Sequence, residues 1–249
     1  MLYRLSVSLH AGRFLLKGAL LFALWYDRPH RPTRDADLLA FGPDEVDAMV
    51  DAFREICAVP CDDGLAFDAR SVRGAKIRKS AGYGGVRIDV PAMLDGARIS
   101  LQVDVGFGDA VTPGPQAVRY PVLLDGLPAR ELRAYPKATV VAKKLHAICL
   151  LGLANTRMKD YFDLDLLLRD EALDAAELRR SIAATFERRK LELPGDWPVG
   201  LSDAFAADSV KQAQWTAFLG KNRLELVPLP ALIERLRAGF ARLSAATSA

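Results

Sequence analysis

Residues 16–38 read LKGALLFALWYDRPHRPTRDADL, and this stretch decides the fold. A glycine followed by a small residue, Gly18-Ala19, leads into an apolar run with helical spacing, and a Pro-rich turn separates that predicted helix from a strand. The strand carries Asp35 and Asp37, and its period of two places both carboxylates on one face. Two oxygen ligands beside a helix N-terminus can hold a divalent metal together with phosphates.

The composition is that of an ordinary soluble chain of one or two domains, with 249 residues, 51% hydrophobic and 26% charged. The net charge of +3 is small, so nucleic-acid binding would depend on a local basic patch. The three cysteines lack a second pair at zinc spacing, which favours a reduced, cytoplasmic setting. The apolar stretch 15–26 is shorter than the ~20 residues that span a bilayer, and we predict neither a signal peptide nor membrane association.

The chain is predicted to divide near residue 135 into two regions, 1–134 and 135–249. In the first region a helix opens at Pro43 and runs to about Cys57, and the strands that follow alternate apolar and polar residues between Gly-rich turns. This pattern indicates an α+β fold with an antiparallel or mixed sheet, covered by helices on one side. The predicted strands are 65–67, 75–78, 86–90 and 99–105, and the predicted helices of the second region are 139–151, 158–168, 174–189, 201–219 and 230–243.

A third acid strengthens the metal interpretation of the first two. Asp104 lies late in the predicted strand 99–105, on its polar side, and would complete a site for one or two magnesium ions. Asp104 could also act as general base on an incoming hydroxyl. The alternative interpretation is that Asp104 is an ordinary surface carboxylate on the polar side of its strand. Asp109 competes for the same role but follows glycines, which is typical of a turn. Asp163 and Asp165 lie on a predicted helix, diverge by about 200°, and cannot share a metal.

One lysine of the second region lies on the apolar face of its predicted helix. On a helical wheel Lys144 falls inside the apolar arc, and His146 points to the opposite side. A buried lysine is costly unless it is paired, and its compact charge suits a triphosphate. Asp160 raises the same question on the next helix, so a buried Lys144–Asp160 ion pair is the structural alternative. The two interpretations are compatible, because one acid can orient a catalytic lysine.

A basic segment in the predicted sheet has two interpretations of similar weight. It is either a hairpin that follows RNA phosphates or a charged edge strand that resists aggregation. No serine or cysteine lies in a nucleophile motif, so the sequence does not support a hydrolase triad. The residues of this segment are Arg73, Lys76, Arg78, Lys79 and Arg87, with Tyr83 in the turn.

In order and spacing, five motifs resemble the nucleotidyltransferase core of the AbiEii/AbiGii toxin family. The resemblance runs from about residue 14 to 168 and, more weakly, to the C-terminus. The last two motifs are long and specific. The five are Gly18-Ala19, Arg31–Asp37, Val103–Asp109, Tyr135–Leu145 and Asn155–Leu164.

The resemblance implies a DNA polymerase β-like nucleotidyltransferase core followed by a helical C-terminal region. Members of the family resemble toxins of toxin–antitoxin or phage-abortive systems, use Mg²⁺ and a nucleoside triphosphate, and in some cases act on the 3′ end of tRNA. The implied metal ligands are Asp35, Asp37 and Asp104, and Lys144 and Asp160 complete the implied catalytic set. The implied nucleotide-binding residues are Gly18, Ala19, Thr33, Lys144 and Arg157.

The chain departs from the family pattern at three places. Ala19 stands where the family has serine and cannot donate a hydroxyl to phosphate, and Ala138 and Lys143 stand where glutamates are common. The chain also begins close to the first motif, where relatives carry additional helix, so a truncated start stays open as an interpretation.

The sequence therefore predicts a magnesium-dependent nucleotidyltransferase toxin that acts on RNA and has a cognate antitoxin. One alternative is a catalytically weak nucleotide- or RNA-binding relative that functions through its antitoxin. Another is an enzyme that modifies a protein or a small molecule. The nucleotide, the acceptor, the antitoxin and the oligomeric state are not predicted.

Overall fold

The computed structural model describes residues 1–26, 30–33, 35–78, 84–122, 129 and 131–245. The chain forms two compact units. The first comprises Met1–Asp109 and Pro115–Tyr135, and the second comprises Ala110–Gly114 and Pro136–Ala249. Lys79 and Tyr83 of the basic segment, Arg34 of the acidic motif and the start of the Pro-rich turn at 27–29 lie outside the described residues.

The first unit is built on one mixed sheet, which confirms the predicted α+β class. Its described strands are β1 Phe14–Lys17, β2 Asp35–Ala40, β3 Leu65–Phe67, β4 Arg73–Arg78, β5 Gly84–Leu94, β6 Ala97–Phe107, β7 Gln116–Arg119 and β8 Glu131–Ala134. Their order in the sheet is β3-β5-β6-β2-β1-β8-β7, and β4 also pairs with β5. The pairs β2–β6 and β1–β8 are parallel, and the others are antiparallel.

The longest strand pair, β5–β6, is a hairpin closed by a tight Asp-Gly turn. Asp95 and Gly96 connect the strands with φ of 46° and 79°. Positive φ at both central residues is the requirement of a tight type I′ hairpin turn, which Asp-Gly satisfies. The turn sets the register in which Leu94 pairs with Ala97 and, further along, Arg87 pairs with Asp104.

The two faces of the sheet differ in chemistry because its side chains alternate. Val86, Ile88, Val103 and Val105 are buried on one face. The helix Val46–Ala58 (α3) packs on that face, where a Cβ at Gly74 of β4 would lie 2.7 Å from a methyl group of Val50. The polar side chains of β2, β5 and β6 are therefore on the opposite face.

The first unit also contains the α-helices α1, Leu2–Val7, and α2, Leu20–Tyr26. The side chain of Arg4 in α1 is buried and donates to Asp63 at 2.6 and 2.9 Å, and to the backbone carbonyl of Val59 at 3.0 Å. This contact ties the N-terminal helix to the segment between α3 and β3. The helix predicted from Pro43 begins instead at Val46.

The second unit is helical in its described residues. The helix predicted over 201–219 is wrong: a short helix at 203–207 is followed by a second at 209–222. The break arises because two N-caps begin separate helices, with the Ser202 hydroxyl accepting from the backbone of Phe205 at 3.2 Å and the Asp208 carboxylate from that of Lys211 at 2.9 Å. The helices are α4 Lys137–Leu151, α5 Met158–Leu168, α6 Ala175–Arg188, α7 Asp203–Ala207, α8 Ser209–Asn222 and α9 Leu229–Ala245.

The helix α4 is enclosed on most of its sides. Lys144 lies on a mostly buried face, as predicted, with 13% of its side chain exposed. His146, which the wheel places opposite, is buried as well, with its ring 5.2 Å from that of Phe186 in α6. In the described part of the chain, we find no helix with both the length and the hydropathy to cross a membrane.

Candidate active site

The turn from β1 into α2 is shaped by a glycine that touches an acid. Gly18 has φ of 77°, a left-handed conformation that L side chains rarely adopt. A Cβ at this position would lie 2.3 Å from Oδ2 of Asp37 and 2.8 Å from its Cβ. Only glycine therefore allows the turn to lie directly against the Asp37 side chain.

The two acids of β2 lie as the sequence predicts, on one face of one strand. Asp35 and Asp37 are both half-buried. Asp37 pairs in register with Lys17 of β1 on one side and with Asp104 of β6 on the other. Register partners on neighbouring strands are about 4.8 Å apart and point to the same face, so the sheet brings these side chains together.

The third predicted acid is held by an arginine. Asp104 is 7% exposed, and its Oδ1 and Oδ2 accept hydrogen bonds from Nε of Arg87 at 2.8 Å and from its Nη2 at 3.0 Å. This hydrogen bonding raises the pKa of Arg87, and the charges of Asp104 and Asp35 act in the same direction. The sequence predicts Arg87 as part of a basic segment and does not predict its contact with Asp104.

A second charged contact lies next to Asp37 and was also missed. Nζ of Lys17 is 3.7 Å from Oδ2 of Asp109, and the hydroxyl of Tyr135 donates to the same carboxylate oxygen at 2.9 Å. Lys17 and Asp109 are mostly buried, with 12% and 9% of their side chains exposed. Asp109 is therefore the shared partner of Lys17 and Tyr135. The available signal was the single lysine that ends an apolar run before Gly18.

The remaining predicted nucleotide-binding residues of this unit contribute little side-chain chemistry. Thr33 is exposed, and its hydroxyl donates to the backbone carbonyl of Asp35 at 3.2 Å. Ala19 precedes α2, and its carbonyl accepts from the amide of Phe22 at 3.1 Å. Its methyl side chain supplies no hydroxyl.

The basic segment is split between the two faces of the sheet. Arg73 pairs with Asp89 and Arg87 pairs with Asp104, so both arginines point to the carboxylate side. Lys76 pairs with Val86 and points to the apolar side. The described residues therefore do not place these cations on one continuous face.

The other predicted site residues form a buried ion cluster in the second unit. Nζ of Lys144 donates to Oδ1 of Asp160 and to Oδ2 of Asp163, each at 2.7 Å, and Arg157 donates to the other oxygen of Asp160. Both acids are 1% exposed. Asp165 instead accepts from Arg235 at 3.0 Å, which confirms that the two acids at 163 and 165 diverge.

The charges in this cluster stabilise one another. Burial acts to raise the pKa of Asp160, but Lys144 and Arg157 outweigh it and hold that pKa well below its usual range. Burial acts to lower the pKa of Lys144, but Asp160 and Asp163 outweigh it and raise that pKa. Lys144 and Asp160 are thus both charged near neutral pH, as the ion-pair alternative expects. Contact between Lys144 and a triphosphate stays a prediction.

The donor chemistry of the first unit suits magnesium. Mg²⁺ in proteins is commonly held by one or two carboxylates, with phosphate oxygens and water completing its shell. Asp35 and Asp37 meet that requirement, whereas both oxygens of Asp104 face Arg87. Among the residues that the structure describes, no group of three or more His, Cys, Asp or Glu side chains is placed to hold a metal ion.

The first unit combines a mixed sheet, a Gly-small turn into a helix and carboxylates on two adjacent parallel strands, which is the arrangement expected of a nucleotidyltransferase core. Comparison with solved structures supports this fold. A candidate nucleotidyltransferase from Helicobacter pylori aligns with a TM-score of 0.53 at 15% identity, covering 98% of this chain and 91% of that one. JHP933 from the same organism aligns with a TM-score of 0.55 at 14% identity, covering 98% and 89%.

The family is shown by a model match over almost the whole chain. Residues 1–241 match the AbiEii nucleotidyl transferase toxin of type IV toxin–antitoxin systems. The chain therefore belongs to the AbiEii family and is a nucleotidyltransferase. The comparison with curated proteins gave no match.

Proposed function

We propose that this chain is a magnesium-dependent toxin that transfers a nucleotide from a nucleoside triphosphate to an RNA acceptor, such as the 3′ end of tRNA, in the cytoplasm. The observation that carries the proposal is the placement of Asp35 and Asp37 on β2 beside Asp104 on β6, with Gly18 against Asp37. A cognate antitoxin is part of the proposal, because the family belongs to type IV toxin–antitoxin systems.

The acids and the glycine of the first unit have distinct roles in the transfer. Asp35 and Asp37 would hold Mg²⁺, which would neutralise phosphate charge while a hydroxyl of the RNA displaces pyrophosphate from the α-phosphate. Gly18 lets the turn into α2 lie directly against the Asp37 side chain. Asp104 is adjacent to Asp37, and once an oxygen is released from Arg87 it can ligate the same ion or accept the proton of the attacking hydroxyl.

The decisive experiment compares two carboxylate variants for transfer of label from each of the four nucleotides to total RNA. Asp37→Asn keeps the shape of the side chain but removes a metal ligand, so we expect transfer to fall by about 100-fold or more. Asp89→Asn is the matched control, because Asp89 is an exposed acid on the same face, in β5. We expect this control to keep near wild-type activity.

The other outcomes favour the alternatives. Nucleotide binding without transfer would support a catalytically weak relative, which Ala19 and the Arg87–Asp104 contact favour. Label found only in protein or in small molecules would show that these, and not RNA, are the acceptor. Equal transfer by Asp37→Asn and the wild type would refute the assigned site. Growth arrest on induction, relieved by the adjacent gene, would test the toxin and antitoxin roles.

A further inference from the structure

Four charged side chains form a row across four neighbouring strands. The register places Lys17 of β1 beside Asp37 of β2, Asp37 beside Asp104 of β6, and Asp104 beside Arg87 of β5. Two carboxylates therefore lie between two cations on one face. The protein itself supplies positive charge at the place where a metal site is proposed.

The contact at one end of this row is well formed. Arg87 donates to both carboxylate oxygens of Asp104, the bidentate geometry that guanidinium and carboxylate groups favour. With its amide turned so that the oxygen faces the guanidinium, Gln102 of β6 would also accept from Arg87, at 3.2 and 3.3 Å. Arg87 is thus held by Asp104, while 38% of its own side chain is exposed.

This contact conflicts with the role expected of Asp104. A carboxylate that ligates Mg²⁺ must turn a lone pair toward the ion, and a guanidinium on both oxygens restricts that movement. The cation and the metal would also repel each other. Because Arg87 is partly exposed, it has solvent space into which it can turn.

We propose that Arg87 is a positioning residue that holds Asp104 while the metal is absent and gives up at least one hydrogen bond when a divalent cation binds beside Asp37. Arg87 therefore opposes metal loading. The inference rests on the proposed function, because it places the metal at Asp35 and Asp37. It adds an internal competitor for the third carboxylate.

The expected size of the effect follows from the exposure of the pair. A partly exposed ion pair of good geometry contributes about 1 kcal/mol, which corresponds to about a fivefold change in an equilibrium constant. Removing Arg87 should therefore increase affinity for a divalent cation about fivefold. A purely structural Arg87 would instead lower stability without increasing affinity.

The test measures binding of Mn²⁺, without nucleotide, to the full chain by the paramagnetic resonance signal of the free ion. Arg87→Gln should bind about fivefold more tightly than the wild type, and Arg87→Lys should bind more tightly by a smaller factor. Lys76→Gln is the charge control, since Lys76 is an exposed cation on the opposite face of β4. It should bind as the wild type does.

A double-variant cycle separates competition for Asp104 from a general effect of charge. In an Asp104→Asn background, Arg87→Gln should no longer increase affinity. An equal increase in that background, or no increase in the Asp104 protein, would overturn the inference. If Asp37→Asn abolishes binding while Arg87→Gln changes nothing, the proposed function survives and the inference fails. If the wild type binds Mn²⁺ no better than Asp37→Asn, the proposed function fails and the inference with it. Thermal melts of each variant verify folding.

Discussion

Replacing Gly18 by alanine should separate the stability of the first unit from its chemistry. The new Cβ would lie 2.3 Å from Oδ2 and 2.9 Å from Cγ of Asp37, so the Asp37 side chain has to move. The left-handed φ of 77° adds backbone strain of about 1–2 kcal/mol for a residue with a Cβ.

The strain and the contact have different consequences. Strain of this size lowers the melting temperature by about 2–8 °C in a chain of this length. Displacement of a metal ligand by about 1 Å costs on the order of 100-fold in activity. We therefore expect a modest loss of stability together with a large loss of nucleotide transfer and of Mn²⁺ affinity.

Gly96 provides a matched control for the backbone term. Its φ is 79°, and a Cβ there would meet nothing within 4 Å. Gly96→Ala should therefore lose comparable stability but keep its activity. Melting curves and transfer assays on the two variants make the comparison. Similar activity in Gly18→Ala and Gly96→Ala would refute the claim that Gly18 positions Asp37.

Two further predictions concern buried ion pairs. Lys144→Met leaves Asp160 and Asp163 buried with one cation fewer, so denaturant titration should show a loss of about 3–5 kcal/mol in the free energy of unfolding. The pKa of Asp160 is lowered in the folded state, so this carboxylate stabilises the fold above its ordinary pKa of ~3.9, and the stabilisation is lost as pH falls below that value. The pKa of Lys144 is raised, so this ammonium stabilises the fold below its ordinary pKa of ~10.4, and the stabilisation is lost as pH rises beyond that value. The variant should lack the alkaline loss, and a variant with an unchanged alkaline slope would contradict this account. Arg4→Met should lower the free energy of unfolding by a similar amount, about 3–5 kcal/mol, because it leaves the mostly buried Asp63 carboxylate without its cation. An unfolding midpoint equal to that of the wild type would contradict the assigned contact.

Local sequence patterns predicted the elements that carry a clear period. The alternation of β6 placed Asp104 on its polar face, and the strand period placed Asp35 and Asp37 together. The short strand β1 was missed because Phe14–Lys17 is an apolar run with no alternation, which merges with the helix after it. The break before α8 was missed because apolar spacing continues across Asp208, although its capping chemistry is visible.

The sequence predicted individual residues of the site but not which of them contact one another. The side chains of Asp37 and Asp104 are 67 residues apart in a chain of 249, and only the parallel pairing of β2 and β6 brings them into register. The same pairing problem hid the contact between Arg87 and Asp104. Long-range register depends on the whole sheet, so a pattern read along one strand does not specify its neighbour.

The position of the metal tests the central claim most directly. Crystals grown with Mn²⁺ and a non-hydrolysable nucleoside triphosphate would locate the ion by its anomalous scattering. We predict a peak within about 2.0–2.6 Å of carboxylate oxygens of both Asp35 and Asp37, the range of such metal–oxygen bonds. A nucleotide bound with its metal away from these two carboxylates would contradict the assignment of the active site.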